Sequence, residues 1–159
     1  MILMMFRKII EDLKMNFNTN RNFFNKYLKS NPNMIYSKIN EIAQFVGARY
    51  GIDLKLHFPD PSKIYLLDSY GSENIGIVVD RFKKNFPISP ELVKSKAIET
   101  IPGASVSDAY MYEGKEGVRI SFKKGRLELL PGSIHIWGSI DKDVENYVNW
   151  ILTNVLIKH

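Results

Sequence analysis

The sequence predicts an α+β fold: an antiparallel β-sheet with helices packed on one face and a helical segment at its N-terminal end. Three observations carry this. Up to about residue 51, apolar residues recur at spacings of three and four. From Leu54 they alternate with polar ones, and after residue 140 the three-and-four spacing returns. The expected order is α-α-α-β-β-β-α-β-β-β-β-α. Residues 1–51 form the helical segment and 52–159 the sheet domain, packed together as one unit.

The elements follow in order. Ile2, Leu3, Phe6, Ile9, Ile10, Leu13 and Phe17 stripe a first helix. Asn18, Thr19 and Asn20 break it, and Phe23, Phe24, Tyr27 and Leu28 give a short second helix its apolar side. Ser30 to Asn33 ends that helix, and a third runs from about Met34 to Tyr50, with Gly51 placed to terminate it in a left-handed conformation. Leu54, Leu56 and Phe58 then alternate with Lys55 and His57, and Lys63–Asp68 and Asn74–Asp80 read as two more strands. Ser89 caps a helix from Glu91 to Ile101 with Pro90 in its first turn. Four strands follow near 105–113, 117–123, 126–130 and 133–138, with hairpin signals at Gly114–Gly117, Lys124-Gly125 and Pro131-Gly132. Ser139 is expected to cap a last helix from Ile140 to Ile157, striped by Ile140, Val144, Tyr147, Val148, Ile151, Leu152, Val155 and Leu156.

The chain's 159 residues, 45% hydrophobic and 25% charged, suffice for a real core. The absence of cysteine excludes a disulfide framework, a thiolate zinc site and a cysteine nucleophile. Met1–Phe6 is apolar but short, with Arg7 and Lys8 behind it, so it does not read as a secretory signal. No run reaches the length of a membrane span. These features lead to the expectation of a cytoplasmic protein without membrane contact. The same apolar start is expected to dock on the fold, with binding to a second copy or a partner as its alternative role.

The formal charge is +5, and it is unevenly placed. Up to Phe58, nine basic side chains meet four acidic ones; beyond it, thirteen meet thirteen. Such asymmetry marks a nucleic-acid or membrane contact, or simply aids solubility.

The four late strands carry the most chemistry. Val118, Ile120 and Phe122 alternate with Arg119, Ser121 and Lys123, and Ile134 and Ile136 alternate with His135 and Trp137. The apolar rows form the buried side. The opposite side then collects Asn74, Tyr110, Tyr112, Arg119, Ser121, Lys123, Arg126, His135 and Trp137. Basic groups neutralise phosphates, and aromatic rings stack on bases. Two basic loops, Arg81-Phe82-Lys83-Lys84 and Lys123-Lys124-Gly125-Arg126, add positive charge that suits phosphates or a solvated surface. The competing expectation is that the N-terminal helices roof this basic, aromatic face to bury their own stripes.

From Asn74 onward the order strand, helix, four strands, helix resembles one repeat of the TATA-binding-protein fold. The wording of Asn74–Asp80 is similar to that repeat's opening strand, and Gly132–Gly138 followed by Asp143 is similar to its closing strand-turn-helix. The resemblance covers residues 74–156 in a single copy, so a saddle of two repeats would need a homodimer. It implies nucleic-acid contact by the sheet, with Asn74 and Phe122 at the family's contact positions. Alternation, however, puts Phe122 on the buried side with Val118 and Ile120.

Other chemistry is thin. His57, His135 and His159 have no ligand spacing, so no metal or cofactor is expected. His57 and Asp60 make only a two-residue cluster. Asp108 with Glu113-Gly114-Lys115 would suit a magnesium-dependent nuclease, but the latter three lie in a turn. No phosphate-cradling glycine loop or nucleophile elbow is present. The leading expectation is a non-enzymatic nucleic-acid-binding protein. Arg119, Lys123 and Arg126 would hold phosphates and Tyr112 and Trp137 would stack, with Asn74, Arg81, Lys83, Lys84 and Lys124 completing the surface. The alternative is an interaction or assembly module that joins copies or a protein partner through its apolar N-terminal helices.

Overall fold

The computed structural model describes residues 5–57, 76–80, 88–138 and 140–156. Their order is α1 (Met5–Thr19), α2 (Arg21–Tyr27), α3 (Pro32–Arg49), β1 (Asp53–His57), β2 (Gly76–Asp80), α4 (Pro90–Thr100), β3 (Ser105–Tyr112), β4 (Lys115–Phe122), β5 (Gly125–Leu130), β6 (Ser133–Gly138) and α5 (Lys142–Ile151). A π-helical turn, Leu152–Leu156, extends α5. This is the expected α+β class. The strand expected over Lys63–Asp68, like Phe58, lies outside the described residues.

The described strands form one antiparallel sheet in the order β1-β2-β6-β5-β4-β3. From β2 the chain passes through α4 to the far edge, and the β3–β6 meander then returns to lie beside β2. The turns follow from residue type. Between β3 and β4, Glu113 (φ 49) and Gly114 (φ 77) both take the left-handed region, as a two-residue hairpin turn matching the strand twist requires. Pro131-Gly132, with Gly132 at φ 83, joins β5 to β6.

The helix ends also follow local chemistry. Asn31 accepts a hydrogen bond from the Met34 N–H and Ser89 accepts one from the Leu92 N–H, each with a proline in the first turn. Gly51, at φ +69, follows α3 as expected. The expected cap of α5 is corrected: Asp141, not Ser139, accepts from the Val144 N–H at 3.0 Å. A carboxylate serves the positive helix end better than a hydroxyl, and it leaves Ile140 outside the helix and buried.

A single hydrophobic core runs from Met5 and Phe6 to Val155. It joins the stripes of α1 and α3 to Leu54, Val79, Val118, Ile120, Leu127, Leu129, Ile134 and Ile136 of the sheet. All the helices therefore lie on one side. The expectation that the N-terminal helices roof the basic, aromatic face is wrong, because their stripes and the inward rows of the sheet bury each other. Phe122 also packs against this core, which places it on the side away from the basic residues. Val144, Tyr147, Val148, Ile151, Leu152 and Val155 of the C-terminal helix are fully or almost fully buried, each stabilising the fold by about 1.5–3 kcal/mol.

Polar contacts fix how the N-terminal helices sit. The Phe6 N–H, near the start of α1, donates to the buried Asn149 side chain at 2.8 Å. Arg7 reaches both carboxylate oxygens of Glu145, at 3.0 and 3.2 Å. At the other end, the Tyr50 hydroxyl donates to Asp12 Oδ2 at 2.6 Å.

Burial, reinforced by the Asp12 hydrogen bond and charge, pushes the Tyr50 hydroxyl up to about 12. An unfolded tyrosine titrates near 10, so this group's stabilisation is complete below about pH 10 and is lost as pH rises toward 12. Tyr50→Phe is expected to cost about 1 kcal/mol at pH 7 in urea unfolding. The gap from the unsubstituted protein should close between pH 10 and 12.

Candidate functional site

The face away from the helices is organised by strand register. One row across the sheet is Ser107, Arg119, Glu128, His135, Val78 and Lys55. The next contains Ser105, Ser121, Arg126 and Trp137. In β3 strict alternation would send Tyr110 and Tyr112 to the core side with Val106. The register shift between Ser107 and Tyr110 prevents this: one extra residue flips the later part of the strand, so both tyrosines join the basic face.

At the centre of this face sits a residue the sequence reading passed over. Glu128 is only 3% exposed. A buried carboxylate must be paired, and its partners are the two arginines beside it. Arg119 directs Nε and Nη2 to Glu128 Oε2 at 3.1 and 2.7 Å. Arg126 Nε lies 3.5 Å from the same oxygen. The hydrogen bond to Glu128 raises the Arg119 pKa further above its already high value. Burial, and then the hydrogen bond to Glu128, raises that of the Tyr110 hydroxyl. The available signal was the alternation in Arg126-Leu127-Glu128-Leu129, which sets Glu128 on the same face as Arg126.

Both guanidinium groups also lie over aromatic rings. Arg119 Cζ is 4.3 Å from the centroid of Tyr110, and Arg126 Cζ is 5.3 Å from that of Trp137. The side chains of Arg119 and Arg126 remain 42% and 46% exposed. Tyr112 meets His135 edge to face, with centroids 5.3 Å apart. β4 and β5 lie between their strands. Tyr112 is 41% exposed. Leu130 and Val78, on the same face, are buried but stand apart from the main core.

Lys123 and Lys124 form the exposed two-residue turn from β4 to β5, at the Trp137 end of the face. A close backbone approach holds this corner. Gly125 pairs with Gly138, and a Cβ on Gly125 would stand 2.1 Å from the Trp137 carbonyl oxygen.

The structure thus brings together Tyr112, Arg119, Lys123, Lys124, Arg126 and Trp137. Asn74, Arg81, Lys83 and Lys84 lie outside the described residues. So do Asp60, His159 and the side chains of His57 and Asp108, while Glu113 is exposed in its turn. Arg119 directs its hydrogen bonds to Glu128, and Arg126 Nε lies 3.5 Å from the same carboxylate oxygen. Among the described residues no three His, Asp or Glu side chains gather as metal ligands. No helix is long and apolar enough to cross a membrane, again among the described residues. An open cleft of about 380 Å³ between α2 and α3, lined in part by Phe23, Met34, Lys38 and Glu41, offers no comparable chemistry.

No family model, curated protein or solved structure matches this chain.

Glu128→Gln keeps the side chain's shape but removes the charge that holds both arginines. Arg119 is partly solvated, which moderates the loss, and a destabilisation of about 1–3 kcal/mol is expected in chemical unfolding at pH 7. A change below about 0.3 kcal/mol would show that the cluster does not organise the face.

Proposed function

We propose that this protein binds nucleic acid through the sheet face opposite its helices, without catalysing a reaction. The observation that supports this most directly is the composition of that face: guanidinium groups lying over Tyr110 and Trp137, an exposed Tyr112, and a lysine turn at the rim. Arg119, Arg126, Lys123 and Lys124 against Glu128 leave three surplus positive charges. Such a surface attracts a polyanion, and its rings have flat faces on which bases stack. In this reading Lys123 and Lys124 take the phosphates and the aromatic groups take the bases. Asn74, Arg81, Lys83 and Lys84 complete the interface in the same proposal. A single copy of a TATA-binding-protein-like repeat, paired as a homodimer, remains part of the proposal only as the resemblance stated for residues 74–156.

The assembly reading drew on the apolar stripes of the N-terminal helices. Phe6, Ile9, Ile10, Leu13 and Phe17 of α1 now lie in the chain's own core, so that reading has less to draw on.

Binding to short oligonucleotides, followed across salt concentration, tests the proposal. With the Lys123 and Lys124 phosphate contacts on a single strand, log K is expected to fall against log salt with a slope of about −1.4 or steeper. Lys123→Ala combined with Lys124→Ala should flatten that slope by about 1.4. No detectable binding at low salt would overturn the proposal.

A further inference from the structure

We infer that the ligand of this face is a single-stranded polynucleotide whose bases, rather than its phosphates, occupy the centre of the sheet. The inference rests on the nucleic-acid reading above and specifies what that reading leaves open.

The central cations are poor phosphate sites. Arg119 gives Nε and Nη2 to Glu128 Oε2, and Arg126 Nε faces the same oxygen. A phosphate placed there would meet a carboxylate that cannot retreat, because Glu128 is buried. Like charges repel, and the Arg119 edge that would bind a phosphate best is already engaged by Glu128.

What the centre offers instead is flat. Arg119 lies over Tyr110 and Arg126 over Trp137, and each arginine keeps part of its side chain in solvent. A nucleobase stacks on an aromatic ring or on a guanidinium plane with little regard to its identity. Tyr112 meets His135 edge to face and is exposed, which adds a further platform. Lysine ammonium groups stand at the edge, in the Lys123-Lys124 turn. Flat groups in the middle and point charges at the rim match a strand whose bases are splayed out and whose backbone runs along one side. A duplex hides its base faces in its own stack. It would meet this sheet through phosphates, where the centre has least to give.

The test compares affinities, by fluorescence anisotropy, for a short mixed-sequence single-stranded DNA, the same sequence as RNA, and the blunt DNA duplex. The expected result is binding of one or both single strands roughly tenfold or more tighter than the duplex. Tyr112→Ala should weaken single-strand binding by roughly 5- to 100-fold, whereas Tyr112→Phe, which keeps the ring, should leave it nearly unchanged. Circular dichroism of both variants confirms that the fold is retained. Duplex binding equal to or tighter than single-strand binding would overturn this inference while leaving the nucleic-acid reading intact. So would a Tyr112→Ala variant that binds normally while the double lysine variant does not. Failure of all three probes to bind at low salt would overturn the nucleic-acid reading itself.

Discussion

At the centre of the outer sheet face a buried negative charge, Glu128, holds two arginines around it. Removing a carboxylate from water is costly unless cations and hydrogen bonds replace the lost hydration. Glu128 is placed in that position by strand alternation, and the fold answers with Arg119 from β4 and Arg126 from its own strand. Those two contacts fix where the guanidinium groups lie. Tyr110 and Trp137 then find cationic partners over their rings. The result is a preorganised surface rather than a set of independently waving side chains, and little ordering remains to be done when a flat ligand arrives.

The described helices satisfy their apolar needs on one side of the sheet. The stripes of α1, α3 and α5 meet the inward rows of the sheet in one core, so these helices do not cover the other side. Local backbone devices finish the arrangement. The register shift in β3 turns two tyrosines outward, and because β3 is an edge of the described sheet the same irregularity interrupts a flat hydrogen-bonding edge that could recruit another strand. The Gly125–Gly138 pair draws two backbones together where the lysine turn meets Trp137.

Much of the fold was legible in the sequence because periodicity and burial are the same physics seen twice. Ile120, Leu127, Ile134 and Ile136 alternate and are buried; Ile9, Leu13, Val144 and Tyr147 recur at helical spacing and are buried. Gly51, Asn31 and Pro131-Gly132 mark ends and turns through backbone geometry alone. The site was legible only by face. Alternation names the residues on one side, yet it says nothing about which cations are neutralised, since the Arg119–Glu128 pair depends on register between two strands. Nor does alternation reveal the extra residue in β3. The cap of α5 was misplaced for a related reason: Ser139 and Asp141 are both good caps, and tertiary packing of Ile140 decides between them.

The central claim is that helices cover one side of the sheet while the side organised by Glu128 meets solvent. The most direct measurement is paramagnetic relaxation by a neutral soluble gadolinium chelate, read by NMR at assigned side chains. Strong relaxation is expected for the Tyr112 ring protons and the Arg119 and Arg126 side chains, with the methyl groups of Ile120, Leu127, Ile134 and Ile136 protected. Equal protection of both sets would contradict it, for it would mean that the basic face is covered in solution.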